Sequence, residues 1–130
     1  MGERVEQITL LEQRESVTLD SDRLQQLYTQ LGESGAEDVV CRALEELAAR
    51  LTLTERFYRE GRVDDMRKSA RSLIAIADQI GMGALTRVAR DVTLCIDHHD
   101  AVALAATLSR LLRIGERSLQ EIWGVQDHSV

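Results

Sequence analysis

The apolar residues between Val63 and Ile80 recur in alternating steps of three and four residues. This spacing places them along one stripe of an α-helix, and it is the pattern with which helices pack side by side in bundles. Similar stripes recur along most of the chain, which contains no proline, the residue that most strongly interrupts a helix. The sequence therefore predicts an all-α fold.

Glycines and capping residues divide the chain into five predicted helices. They cover residues 20–31, 37–60, 63–80, 84–98 and 101–123. Gly32 and Gly35 are expected to end the short first helix, and Asp100 is expected to cap the last one. Four long helices joined by short turns alternate in direction. The expected architecture is therefore an antiparallel up-down four-helix bundle with a short leading helix and an N-terminal arm.

The 130 residues are enough for one domain with a single hydrophobic core. We predict an N-terminal arm over 1–19, a bundle domain over 20–125 and a polar tail over 126–130. The arm contains apolar residues such as Ile8 and Leu11. It is expected to pack either on its own bundle or on a second copy, which would give a homodimer. Trp123 is expected to close one end of the bundle.

The segment that ends this third predicted helix resembles a known signalling motif. It has the sequence KSARSLIAIA over residues 68–77, followed by IGM over 80–82. It is similar to the phosphate-carrying helix of histidine phosphotransfer (HPt) domains, in which Ala-His-x-Leu-Lys-Gly-Ser-Ala precedes a Leu-Gly turn. The resemblance extends from about residue 19 to residue 119. It implies an HPt-like bundle that acts in a bacterial two-component phosphorelay.

The residues that would carry the chemistry differ from the family pattern. Arg71 stands at the position of the reactive histidine, Ile74 replaces the lysine and Ala75 replaces the glycine. Arginine stays protonated at physiological pH and offers no lone pair to attack phosphorus. Phosphate transfer at this position is therefore not expected, and the chain resembles an HPt domain that lacks its phosphorylatable histidine.

The outer face of this helix is the predicted docking surface. At 100° per residue, Arg71 points roughly 130° away from the inward stripe. The resemblance implies that this face meets the receiver domain of a response regulator, or a sensor kinase. We define the docking face as Arg67, Lys68, Arg71, Ile74, Ala75 and Asp78. The alternative for Arg71 is an ordinary surface arginine, paired with Asp78 or with an acid on the preceding helix.

Other candidate sites are weaker. His98 and His99 lie between two aspartates and could serve as metal ligands or as a relocated phosphate carrier. A metal site needs three or four converging ligands, and neither histidine has the lysine and glycine that follow the family's histidine. A solvated turn is favoured. Cys41 and Cys95 are not spaced as ligands and are expected to be buried thiols. No enzyme activity, metal or cofactor is predicted.

The net charge and the hydropathy of the chain limit which kinds of partner are expected. The net charge of −6 argues against nucleic acid. No apolar run approaches the roughly 20 residues that span a bilayer, and the charged start lacks the apolar core of a secretory signal. A cytoplasmic protein without a membrane partner is expected. The predicted function is a non-transferring binder of a receiver domain or kinase. The alternatives are a self-associating bundle and, less favoured, phosphotransfer through His98 or His99.

Overall fold

The computed structural model describes residues 21–128, with side chains described for residues 22–122. Over these residues it contains four helices and no strand, which confirms the predicted all-α class. The helices are α1 (Ser21–Arg59), α2 (Val63–Gln79), α3 (Gly83–Asp97) and α4 (Ala101–His128). The predicted N-terminal arm and the side chain of Trp123 lie outside the described part.

Helix α1 joins the first two predicted helices into one element with a kink at Gly32. This glycine has φ 76° and ψ 173°, a left-handed backbone that glycine adopts without steric cost. Gly35 was also predicted to end the leading helix, and that prediction is wrong: Gly35 lies within α1. The non-helical backbone of Gly32 changes the direction of the helix axis, and the residues after it are helical again. Helix α4 ends at His128, past its predicted end and within the predicted tail.

Each helix packs against two others. Helices α1 and α3 both contact α2 and α4. The predicted inward stripes account for most of the buried core, whose largest fully buried side chains include Leu44, Leu47, Met66, Leu73, Ile80, Met82, Leu85 and Leu111. The exceptions lie towards helix ends, where Tyr28, Leu31, Tyr58 and Val63 are exposed. Near the end of α3, Ile96 is buried and Cys95 is half-buried.

A buried hydroxyl pair connects α1 to α2. The Oγ1 of Thr54 and the Oγ of Ser69 are 2.7 Å apart. The Thr54 hydroxyl also donates to the backbone carbonyl of Arg50 at 2.7 Å. These hydrogen bonds satisfy two hydroxyl groups that would otherwise be costly to bury. They also align the last part of α1 with the middle of α2.

Side chains stabilise the turn between α1 and α2 and the turn between α3 and α4. In the first turn the Nε of Arg62 donates to Oδ2 of Asp65 at 2.9 Å, and its guanidinium lies 4.7 Å from the ring centroid of Phe57. The hydrogen bond to Asp65 raises the pKa of Arg62 above its usual value. In the turn between α3 and α4, the Oδ1 of Asp100 accepts a hydrogen bond from the backbone N–H of Ala103 at 3.0 Å. The predicted cap of α4 is therefore confirmed.

Candidate docking surface

Helix α2 carries the six residues of the docking face on its outer side. It begins after the turn at Gly61, and Asp64 and Asp65 place negative charge in its first turn, where it complements the helix dipole. Its inner side is buried through Met66, Ser69, Ala70, Leu73 and Ala77. Burial of this stripe holds the helix rigidly, and its orientation turns the opposite side to solvent.

The described residues of the docking face differ in exposure. Lys68, Arg71, Ala75 and Asp78 are exposed, whereas Arg67 and Ile74 are half-buried. Ile74 packs against the hydrophobic core. The face therefore has an apolar edge at Ile74, an open small residue at Ala75 and positive charges between them and the start of the helix.

Arg67 forms an ion pair with the last residue of α3. Its Nε lies 2.8 Å from Oδ1 of Asp97, and its Nη2 donates to Oδ2 of the same carboxylate at 3.2 Å. Both side chains are partly exposed, so the pair contributes little stability. The pair joins α2 to α3, and the carboxylate of Asp97 neutralises the charge of Arg67.

Lys68 and Arg71 have no ion pair with any described residue. The sequence allowed Arg71 a partner in Asp78 or in an acid of the preceding helix, and no such pair forms within the described part of the chain. The two cations lie on successive turns of one helix, at i and i+3, where like charges weaken the helix slightly. Their charges are available to a partner.

A further cation, Arg90 of α3, was missed by the sequence analysis. Arg90 is exposed and forms no ion pair with a described residue. It precedes Asp97 by two helical turns, so the two residues lie on the same side of α3. This is the side from which Asp97 contacts Arg67 of α2. The sequence does not show which side of α3 faces α2, because only the Arg67–Asp97 contact between the helices shows it. Sequence analysis therefore had no direct reason to select Arg90.

The other sequence candidates do not come together into a site. His98 and His99 are both exposed at the turn between α3 and α4, as predicted for a solvated turn. Cys41 and Cys95 are half-buried rather than buried, and the Sγ of Cys95 lies 3.7 Å from Oγ1 of Thr107. Among the side chains described, those of residues 22–122, no three potential ligands lie close enough to hold a metal ion.

The described surface also contains an open groove between α1 and α4. The groove has a volume of about 280 Å³. Leu51, Leu112 and Leu119 lie along it, and Glu55 and Glu116 also line it. It carries none of the cations of the docking face and no residue that the sequence analysis singled out. No helix in the described part is long and apolar enough to cross a membrane.

Comparison with protein-family models, with curated proteins and with solved structures finds no match to this chain. The class defined by fold and surface is therefore an all-helical protein with a cationic face on its second helix.

Proposed function

We propose that this chain is a non-enzymatic binding module of a bacterial two-component phosphorelay, resembling an HPt domain without its histidine. It binds the receiver domain of a response regulator, or a sensor kinase, through the outer face of α2. It blocks or scaffolds phosphate transfer and does not carry phosphate itself. The protein acts in the cytoplasm, needs no cofactor and binds no nucleic acid.

One observation carries this proposal. Lys68 and Arg71 are exposed cations without a described ion-pair partner, although the chain as a whole carries a net charge of −6. Beside them lies the half-buried Ile74. The phosphorylation pocket of a receiver domain is acidic and its rim is apolar. Such a partner complements this surface in both charge and hydropathy.

The proposal includes an antiparallel, HPt-like arrangement of the helices. Two contacts support it. Arg67 in the first part of α2 pairs with Asp97 at the end of α3, and the Nε of Arg23 at the start of α1 donates to the backbone carbonyl of Gln79 at the end of α2. Both contacts join the beginning of one helix to the end of the next. This is the connectivity of an up-down bundle.

A binding titration against the receiver domains of the source organism tests the proposal. We expect at least one receiver to bind the wild-type protein and Arg71→Glu to weaken that binding by at least about tenfold, because it places a negative charge against an acidic partner. Arg113→Glu makes the same charge change at an exposed position of α4 and serves as the matched control. Absence of binding to every receiver domain and to every sensor kinase of the organism would refute the proposal, and so would equal weakening by the two variants.

Self-association is a second candidate function, favoured by the leading part of α1. Leu24 and Leu27 pack against the core, but Tyr28 and Leu31 on the same stripe stay 42% and 48% exposed. A second copy could cover them. Light scattering of the wild type and of a Tyr28→Lys/Leu31→Lys double variant decides the matter. A dimer that becomes a monomer supports self-association, and a monomeric wild type excludes it.

A further inference from the structure

We propose that the docking face recognises a phosphoryl group, so that the chain binds a receiver domain more tightly when the receiver's aspartate is phosphorylated. This inference rests on the proposed function and adds the modification state of the partner. It concerns binding alone, and no bond to phosphorus forms or breaks.

The chemistry that prevents Arg71 from accepting a phosphoryl group makes it suited to binding one. A guanidinium group is permanently charged and presents paired N–H donors that match two oxygens of a phosphoryl group. Arg71 is exposed and no described acid occupies these donors. A free guanidinium on a rigid helix therefore faces the partner at the position where the resemblance places the reactive histidine.

The neighbours of Arg71 favour an anion with more than one negative charge. Lys68 lies one turn before Arg71 on the same helix, and Arg90 lies on the side of α3 from which Asp97 contacts α2. Both are exposed and lack a described ion-pair partner. A single carboxylate carries one negative charge and would balance the charge of only one of these cations. A phosphoryl group has three terminal oxygens and a charge near −2 at neutral pH, so it can contact several cations at once.

The rest of the face leaves space for such a group and limits where it binds. Ala75, one turn after Arg71, is exposed and small. Asp78, the acid of the docking face, lies two turns beyond Arg71, and Asp97 is held by Arg67. Neither acid forms an ion pair with Lys68 or Arg71. An anion bound there also relieves the repulsion between Lys68 and Arg71, which stabilises the complex further.

The test compares each receiver domain with and without beryllofluoride, which mimics aspartyl phosphate. Dissociation constants are measured for the wild type, Arg71→Gln, Arg71→Lys and the control Arg113→Gln, whose folds are checked by circular dichroism. We expect the wild type and Arg113→Gln to bind the beryllofluoride form at least about tenfold more tightly. Arg71→Gln should reduce this ratio to about one, and Arg71→Lys should retain part of it, because lysine keeps the charge but loses the paired donors.

Several outcomes would overturn the inference while leaving the proposed function intact. They are equal binding of both receiver forms by the wild type, an undiminished ratio in Arg71→Gln, and loss of binding to both forms by the same factor in that variant. The last result would mean that Arg71 serves docking alone. Absence of binding to every receiver in either form is distinguishable from these, since it refutes receiver binding as the proposed function together with this inference.

Discussion

Gly115 of α4 lies directly against the side chain of Leu51 in α1. A Cβ atom added at residue 115 would lie 2.5 Å from Cδ1 and 2.9 Å from Cδ2 of Leu51, well inside van der Waals contact. Both residues are buried. The close approach of α1 and α4 therefore leaves no room for a Cβ at residue 115 unless the side chain of Leu51 shifts.

We expect Gly115→Ala to lower the free energy of unfolding by about 1 kcal/mol, because the cost of overpacking exceeds the gain in helix propensity. In a Leu51→Ala background the same substitution should raise it by up to about 1 kcal/mol, since the obstructing side chain is gone. Urea unfolding of the four proteins in this cycle measures both effects. If Gly115→Ala has the same sign in the two backgrounds, the close contact does not limit this position.

The buried hydroxyl pair of Thr54 and Ser69 should behave as one unit. Thr54→Val removes the hydroxyl oxygen that pairs with Ser69 and leaves Ser69 with only a 3.2 Å contact to the backbone carbonyl of Arg50. We expect each of Thr54→Val and Ser69→Ala to cost about 1 to 2 kcal/mol, and the double variant to cost less than the sum, because no hydroxyl is then left poorly satisfied. Denaturant unfolding checks this. Ser109→Ala, at an exposed position of α4, should change stability by less than about 0.5 kcal/mol, and strict additivity of the pair would contradict the prediction.

His99 holds a backbone conformation that suits glycine better. Its φ is 54°, and its neighbour His98 has an ordinary φ of −87°. We therefore expect His99→Gly to stabilise the protein by about 1 kcal/mol, whereas His98→Gly should be neutral or destabilising. Thermal unfolding of both variants measures the difference. A lower melting temperature for His99→Gly than for His98→Gly would show that the histidine side chain has a stabilising role.

Asp97 should limit the affinity of the docking face for an acidic partner, since its carboxylate neutralises Arg67. We expect Asp97→Asn to strengthen binding of a receiver domain by roughly two- to fivefold, the effect of one exposed ion pair released to a partner. Asp91→Asn removes the same charge from another exposed position of α3 and should have a smaller effect. Titration at low and moderate salt measures both. Equal gains would indicate that only net charge matters.

The sequence predicted the helices and most of their inward residues, because apolar spacing depends only on the geometry of a single helix. Stripes such as Met66, Ala70 and Leu73 are buried as expected. The sequence could not predict that α1 continues past Gly35. A glycine is compatible with a helix or with a turn, and packing against the other helices decides between them.

For the surface of α2, too, some features follow from the sequence and others only from the tertiary structure. The sequence by itself determined that Lys68 and Arg71 would face away from the core, since this follows from 100° per residue along one helix. Only the tertiary structure decided which of the cations on α2 remain unpaired, because Asp97 of α3 neutralises Arg67 and leaves Lys68 and Arg71 without a described ion-pair partner. Ion pairs between helices depend on their register and orientation, which arise from packing and are not encoded in the spacing of either helix alone.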